Sequence, residues 1–87
     1  MPTRKNYIVD LSYPADLFFS VDHGAADHPD RRIVKVAGYS GASGMGFGER
    51  DHSWYDLTEA GAEKLKGELE ALEIAGCRVN TRPDDDE

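Results

Sequence analysis

Apolar and polar residues alternate along the first part of the chain, with the period of two that is typical of a β-strand. The apolar face of residues 7–13 would carry Tyr7, Val9, Leu11 and Tyr13. Pro14 ends this segment, because proline lacks the N–H that a strand ladder uses. Residues 17–22 and 31–37 are also predicted to be strands, since each is a short apolar run bounded by turn residues.

The spacing changes over residues 58–75 and predicts a single amphipathic helix. Its apolar positions recur every three or four residues, at Ala62, Leu65, Leu69 and Leu72. This spacing makes a narrow apolar stripe that would face a sheet. Thr58 is the expected N-cap, and Gly76 is expected to end the helix. Residues 77–82 then predict a short final strand.

A glycine-rich segment precedes the helix, with five of the nine glycines in residues 38–48. We interpret it as a flexible hairpin tip or a bulged strand. A fourth strand is predicted from about Phe47 to Leu57, because Trp54 and Tyr55 favour pleated surfaces. The predicted fold class is therefore α+β: an antiparallel β-meander of four strands, with one helix packed on it and a short final strand.

Length and charge restrict the classes of function. The 87 residues are expected to form a single α+β domain over residues 1–83, followed by an acidic disordered tail over 84–87. The net charge is −7, but the tail supplies four of the seventeen acids, which leaves thirteen acids against ten bases, or −3, in the body. This balance argues against direct binding to nucleic acid, which needs Lys and Arg to neutralise phosphates.

The chain also lacks the sequence patterns of membrane insertion and secretion. No apolar run approaches the ~20 residues of a membrane helix, and the first residues do not form a signal peptide. The single Cys77 excludes a disulfide within the chain. We therefore expect a cytoplasmic protein, in the host bacterial cytoplasm if it is phage-encoded, with no membrane partner.

The motifs that would indicate a cofactor or catalysis do not occur in the sequence. Residues 44–48 lack the third glycine of a dinucleotide fingerprint, since position 49 is Glu, and the helix begins about ten residues later. Ser40 and Ser43 do not stand in the Gly-x-Ser-x-Gly pattern of a nucleophile elbow. We therefore expect no cofactor and no enzymatic activity.

The loop over residues 22–30 offers an alternative, because it is rich in Asp and His. Imidazoles and carboxylates suit zinc, nickel or manganese, and the first ligands to test would be His23, Asp27 and His28. Their spacing matches no helical His-x-x-x-His pair. The preferred interpretation is a polar loop in which Asp caps turns and His is solvated.

The glycine-rich segment and the strand after it are the predicted partner-binding surface. An exposed aromatic beside Arg50 has the composition of an interface hot spot. Trp54 and Tyr55 fall on opposite faces of a strand, so one is expected in the core and the other in solvent. The predicted contact residues are Tyr39, Met45, Phe47, Glu49, Arg50, Asp51, Trp54, Tyr55, Glu63 and Glu70.

In its general features the chain resembles the small phage-encoded anti-defence proteins, including the anti-CRISPR proteins. The features that carry the resemblance are the length, the segment 44–51 and an acidic helix face formed by Glu59, Glu63, Glu70 and Glu73. The resemblance implies an inhibitor that occludes a bacterial nuclease or effector complex, often at a basic nucleic-acid-binding surface. The expected partner is therefore a host protein or protein complex.

Two other functions stay open from the sequence. One is a small metal- or ligand-binding domain that uses loop 22–30. The other is a structural phage component that assembles as a homo-oligomer through a sheet edge. The sequence leaves the oligomeric state undetermined.

Overall fold

The computed structural model describes residues 6–22 and 24–84. Along the chain the elements are β1 (Asn6–Pro14), α1 (Ala15–Ser20), α2 (Pro29–Ala37), β2 (Ala42–Gly46), β3 (Glu49–Leu57), α3 (Glu59–Glu70) and β4 (Arg78–Asp84). The strands form one four-stranded antiparallel sheet in the order β2-β3-β1-β4. The α+β class, the antiparallel sheet and the short final strand are as predicted.

Two of the predicted strands are helices. Residues 17–22 fall largely in α1, and residues 31–37 fall in α2. In α2 the His28 side chain accepts a hydrogen bond from the Asp30 N–H, and Pro29 stands in the first turn. A cap, a proline at the first position and an acid in the first turn are all helix-start signals. They outweigh the β-propensity of the short apolar run that follows.

The helix α3 begins where the sequence predicts and ends earlier. The Thr58 side chain accepts from the Gly61 N–H at 3.0 Å, which confirms the N-cap. The helix ends at Glu70, and Ala71 is its C-cap, so Gly76 does not end it. Gly76 instead lies against the ring of Pro14, where an added Cβ would approach Cγ and Cδ at 2.8 Å.

The ends of the chain are only partly described. Strand β4 continues to Asp84, which pairs with Asn6, so Asp84 belongs to the sheet rather than to a tail. The rest of the predicted tail, residues 85–87, lies outside the described residues.

The core lies between the helices and one face of the sheet. Alternate residues of β1 point towards it, as predicted, and the register pairs Val9 with Trp54 and Leu11 with His52 on that face. The buried cluster comprises Val9, Leu11, Tyr13, Ile33, Trp54, Ala62, Leu69, Ile74 and Val79. Cys77 packs against its edge.

The glycine-rich segment contains an edge strand and a tight hairpin turn. Strand β2 pairs with β3, and the two central residues of the turn between them are Phe47 and Gly48. Their φ angles are 52° and 78°. Two positive φ angles define the turn that matches the twist of a two-residue hairpin, and that turn strongly prefers Asn-Gly. Phenylalanine at Phe47 is therefore in an unfavourable backbone conformation.

Replacing Phe47 with asparagine is expected to stabilise the protein, because Asn adopts a positive φ at lower cost than Phe. We expect the free energy of unfolding in urea to rise by about 1 kcal/mol. Phe47→Ala is the matched control, since it removes the ring but keeps a strained β-carbon. An equal gain in both variants would contradict the backbone explanation.

Candidate functional site

The Asp30 carboxylate is the centre of a polar cluster between α2 and the sheet. Its Oδ1 accepts hydrogen bonds from the Tyr13 hydroxyl and from His52 Nε2, the latter at 3.1 Å. Its Oδ2 accepts from Arg50 Nε at 3.1 Å and from Arg50 Nη2 at 2.9 Å. Strand β1 supplies Tyr13, and β3 supplies Arg50 and His52 on the same face. One side chain of α2 therefore ties that helix to two strands.

The charge state of the Asp30 cluster follows from these contacts. Burial raises the pKa of Asp30, but the hydrogen bonds from His52, Arg50 and Tyr13 outweigh it and hold that pKa well below its usual range. Burial and the neighbouring carboxylate raise the pKa of Tyr13 well above its usual range. Asp30 is therefore an anion and Tyr13 a neutral donor throughout the neutral pH range.

His52 extends the cluster to the loop before β2. Its Nδ1 lies 2.9 Å from Ser40 Oγ. Because ionised Asp30 can only accept, His52 Nε2 carries a proton, and in the neutral ring Nδ1 then accepts from the Ser40 hydroxyl. The order Ser40, His52, Asp30 is that of a hydrolytic triad, although the sequence shows no motif for one.

The Ser40, His52 and Asp30 side chains lie in a packed and paired environment. Arg50 makes two hydrogen bonds to Asp30 and offsets its charge. The His52 ring is buried and stacks against Trp54, with centroids 5.7 Å apart. We interpret the hydrogen bonds that join Ser40, His52 and Asp30 as a structural connection that fixes His52 and the loop at Ser40.

His28 is a structural residue, which corrects the interpretation of loop 22–30 as a polar loop with solvated histidines. It is buried, its Nδ1 accepts from the Asp30 N–H at 3.1 Å, and its Nε2 lies 3.0 Å from the Phe18 carbonyl oxygen. Asp27 is exposed, and His23 lies outside the described residues. Among the residues that the structure describes, no group of three His, Cys, Asp or Glu side chains could hold a metal ion.

A cleft opens beside the Asp30 cluster, with a volume of about 780 Å³. Its walls are α2, the loop after α2, and strands β2 and β3. It is lined by Ala26, Asp30, Arg31, Val34, Lys35, Tyr39, Ser40, Ser43, Arg50 and His52. The sequence pattern assigned residues 31–37 to a strand and so gave no indication of this cleft. The helix-start signal at His28-Pro29-Asp30 would have placed Arg31 and Lys35 on one helix face.

The predicted contact residues divide into an exposed and a buried group. Tyr39 is 88% exposed, Phe47 is fully exposed and Trp54 is only 6% exposed, with its indole N–H donating to the Gly38 carbonyl at 3.3 Å. The other exposed members are Met45, Asp51, Tyr55, Glu63 and Glu70. Trp54 is therefore the core aromatic and Tyr55 the exposed one.

Three of the predicted contact residues form ion pairs, namely Glu49, Arg50 and, with Lys66, Glu70. Glu49 accepts a hydrogen bond from Arg78 across the open face of the sheet. Arg50 points to the helix side, where it pairs with Asp30 and lies 5.3 Å from the centroid of the Phe18 ring. Arg50 and the exposed Tyr55 thus lie on opposite faces of β3 and do not form the predicted hot-spot pair.

Glycines in and next to β2 decide which side chains cover its backbone on the open face of the sheet. On the open face of the sheet, the Tyr55 ring lies over Gly41, where an added Cβ would be 2.7 Å from Cδ2. Gly44, opposite Asp51, and Gly46 leave the Ala42 methyl as the side chain of β2 on that face. The residues of β2 that carry larger side chains, Ser43 and Met45, pair with His52 and Arg50 on the helix side.

No protein-family model, no curated protein and no solved structure matches this chain. None of the helices in the described part of the chain is long and apolar enough to cross a membrane.

Replacing Asp30 with asparagine is expected to cost stability at neutral pH, because four donors lose a charged acceptor. We expect a loss of about 2 kcal/mol in the free energy of unfolding at pH 7. The folded-state pKa lies below the unfolded value, so the wild-type advantage is complete above about pH 4 and declines as the pH falls further.

The measurement is urea unfolding of both proteins across the acid range. Asp27→Asn is the matched control, since Asp27 is an exposed acid just before α2. A difference between wild type and Asp30→Asn that stays constant down to the lowest pH would contradict a role for the charge.

Proposed function

We propose that the protein is a non-catalytic protein-binding module whose partner docks on the β2–β3 hairpin. The observation that carries the proposal is Phe47, a fully exposed aromatic held at a φ of 52°. Neither property stabilises the free protein: the ring buries no surface, and the turn would be more stable with Asn. Local backbone strain that does not stabilise the fold is typical of residues that bind a partner or ligand.

Two further exposed apolar side chains belong to the same segment. Tyr39 precedes β2 and is 88% exposed, and Met45 lies within β2. Tyrosine, methionine and phenylalanine are all enriched in protein interfaces, where they supply large contact areas. Within nine residues of chain the protein therefore presents three interface-type side chains.

The unpaired backbone edge of β2 lies beside these side chains and can also bind a partner. Strands β2 and β4 are the two edges of the sheet. Strand β4 carries Arg78, Arg82, Pro83 and Asp84, the charges and proline with which proteins protect an edge from pairing. Strand β2, with the sequence Ala-Ser-Gly-Met-Gly, has neither. This difference supports a partner that adds an extended segment beside β2.

The charge of the protein favours a basic partner. Its net charge is −7, and Asp51, Glu63 and Glu70 are all exposed. Acidic surfaces raise the association rate with basic partners and have a smaller effect on the dissociation rate. Lys66 neutralises part of the acidic helix face through an ion pair with Glu70 at 3.1 Å.

The partner class that we propose comes from the resemblance to phage-encoded anti-defence proteins. The protein would bind a bacterial defence nuclease or effector complex of the CRISPR type and cover its nucleic-acid-binding or effector surface. The acidic charge and the exposed hairpin are compatible with a basic surface of this kind. No direct contact with nucleic acid is needed for such inhibition.

Binding is tested with a panel of purified CRISPR effector nucleases loaded with their guide RNA. We expect the wild type to bind one of them and to inhibit its cleavage of DNA. Phe47→Asn and Met45→Lys are expected to weaken binding by at least ~30-fold, the usual effect of removing a hot spot. Phe47→Asn is informative because its folded state should be more stable than the wild type, so lost binding does not reflect unfolding.

Phe19→Ala is the matched control, because Phe19 is a 66% exposed aromatic on α1, outside the hairpin. Backbone amide exchange in residues 42–46 should slow in the complex if the partner adds a strand. A complex that tolerates both hairpin variants, with unchanged exchange there, would contradict the hairpin surface. Failure of every nuclease in the panel to bind would contradict the partner class.

A further inference from the structure

The cleft beside the Asp30 cluster carries an excess of positive charge in an acidic protein. Arg31, Lys35 and Arg50 line it, against a single carboxylate, Asp30. Arg50 and Asp30 are paired at 2.9 Å, so their charges offset each other. Counting the Arg, Lys and Asp side chains of the lining, three cations minus one carboxylate leave a charge of +2, which belongs to Arg31 and Lys35.

Arg31 and Lys35 are available to a ligand. Both side chains are exposed, and neither forms an ion pair with any residue in the described part of the chain. They are four residues apart on α2, which places them on one face of the helix at neighbouring turns. A pair of cations at this spacing can hold the oxygens of one phosphoryl group.

The Asp30 cluster removes the main obstacle to an anion in this cleft. A free carboxylate would repel a phosphate, but both oxygens of Asp30 already accept hydrogen bonds from Tyr13, His52 and Arg50. Ser43 adds a hydroxyl to the same wall. The cleft thus combines the positive charge of Arg31 and Lys35 with a polar wall whose carboxylate is already paired.

The aromatic at the rim indicates what the anion is attached to. Tyr39 lines the cleft and is 88% exposed, so it is accessible to a ligand bound there. An exposed aromatic ring next to paired cations is the arrangement with which proteins stack a base and hold its phosphate. The cleft volume of about 780 Å³ lies in the range of small-molecule sites.

We propose that this cleft binds a mononucleotide, with the phosphate between Arg31 and Lys35 and the base stacked on Tyr39. This site shares Tyr39 with the proposed hairpin surface, but it does not depend on the proposed protein partner. The cleft would recognise two groups of the ligand, a phosphate monoester and the planar ring joined to it. Inorganic phosphate lacks the ring, and a nucleoside lacks the phosphate.

In the experiment the free wild-type protein is titrated with AMP, adenosine and inorganic phosphate. Binding is measured by calorimetry and by changes in amide chemical shifts. We expect saturable binding of AMP, with both partial ligands weaker. Arg31→Ala and Lys35→Ala should each lower the affinity for AMP by about tenfold, the loss expected for a hydrogen bond to a charged group. Tyr39→Ala should lower the affinity for AMP by a similar factor and leave the affinity for inorganic phosphate unchanged.

Lys64→Ala is the matched control, because Lys64 is an exposed lysine on α3 outside the cleft. The melting temperature of each variant shows whether the fold is intact. Adenosine binding as tightly as AMP would overturn the phosphate assignment, and phosphate binding as tightly as AMP would overturn the role of Tyr39. Absence of AMP binding, or an equal loss in Lys64→Ala, would overturn the site.

Discussion

The structure depends on the hydrogen bonding of one buried carboxylate, Asp30. Four hydrogen bonds reach it from Tyr13, Arg50 and His52, so the first turn of α2 is fixed to the two central strands. The same helix start is capped by His28, whose other ring nitrogen contacts the carbonyl of Phe18 in α1. A short chain with a small core thus holds two short helices in place through hydrogen-bonded polar contacts.

This arrangement separates a packed side of the protein, which we call the rigid side, from the side where we propose that a partner binds, which we call the contact side. The rigid side is the cluster beneath α2, in which every buried side-chain polar atom of the described residues has a partner. The contact side is the hairpin, where glycines expose the backbone of β2 and Phe47 is fully exposed at an unfavourable φ. Strain in the turn is tolerated because β3, which carries one arm of the hairpin, is anchored through Arg50 and His52.

The cleft and the hairpin share a boundary at the loop after α2. Ser40 is held by His52 at 2.9 Å, and Tyr39 extends from the same loop into solvent. A ligand in the cleft and a protein on β2 would therefore both contact the segment that the Asp30 cluster orients. The acidic face of α3 lies apart from this boundary, and in the proposed function it would act through long-range attraction.

The sequence by itself determined the elements whose signals are local. The alternation in β1, the helical spacing and N-cap of α3, the strand at the aromatic pair and the α+β class all follow from residues close together in the chain. Local signals also existed for α2, at His28-Pro29-Asp30, but a β-rich composition after them masked the helix. Only the tertiary structure decided the site, because Asp30, Ser40 and His52 are brought together by the crossing of α2 over the sheet. Which aromatic is exposed, and that Arg50 turns inward, depend likewise on packing partners distant in sequence.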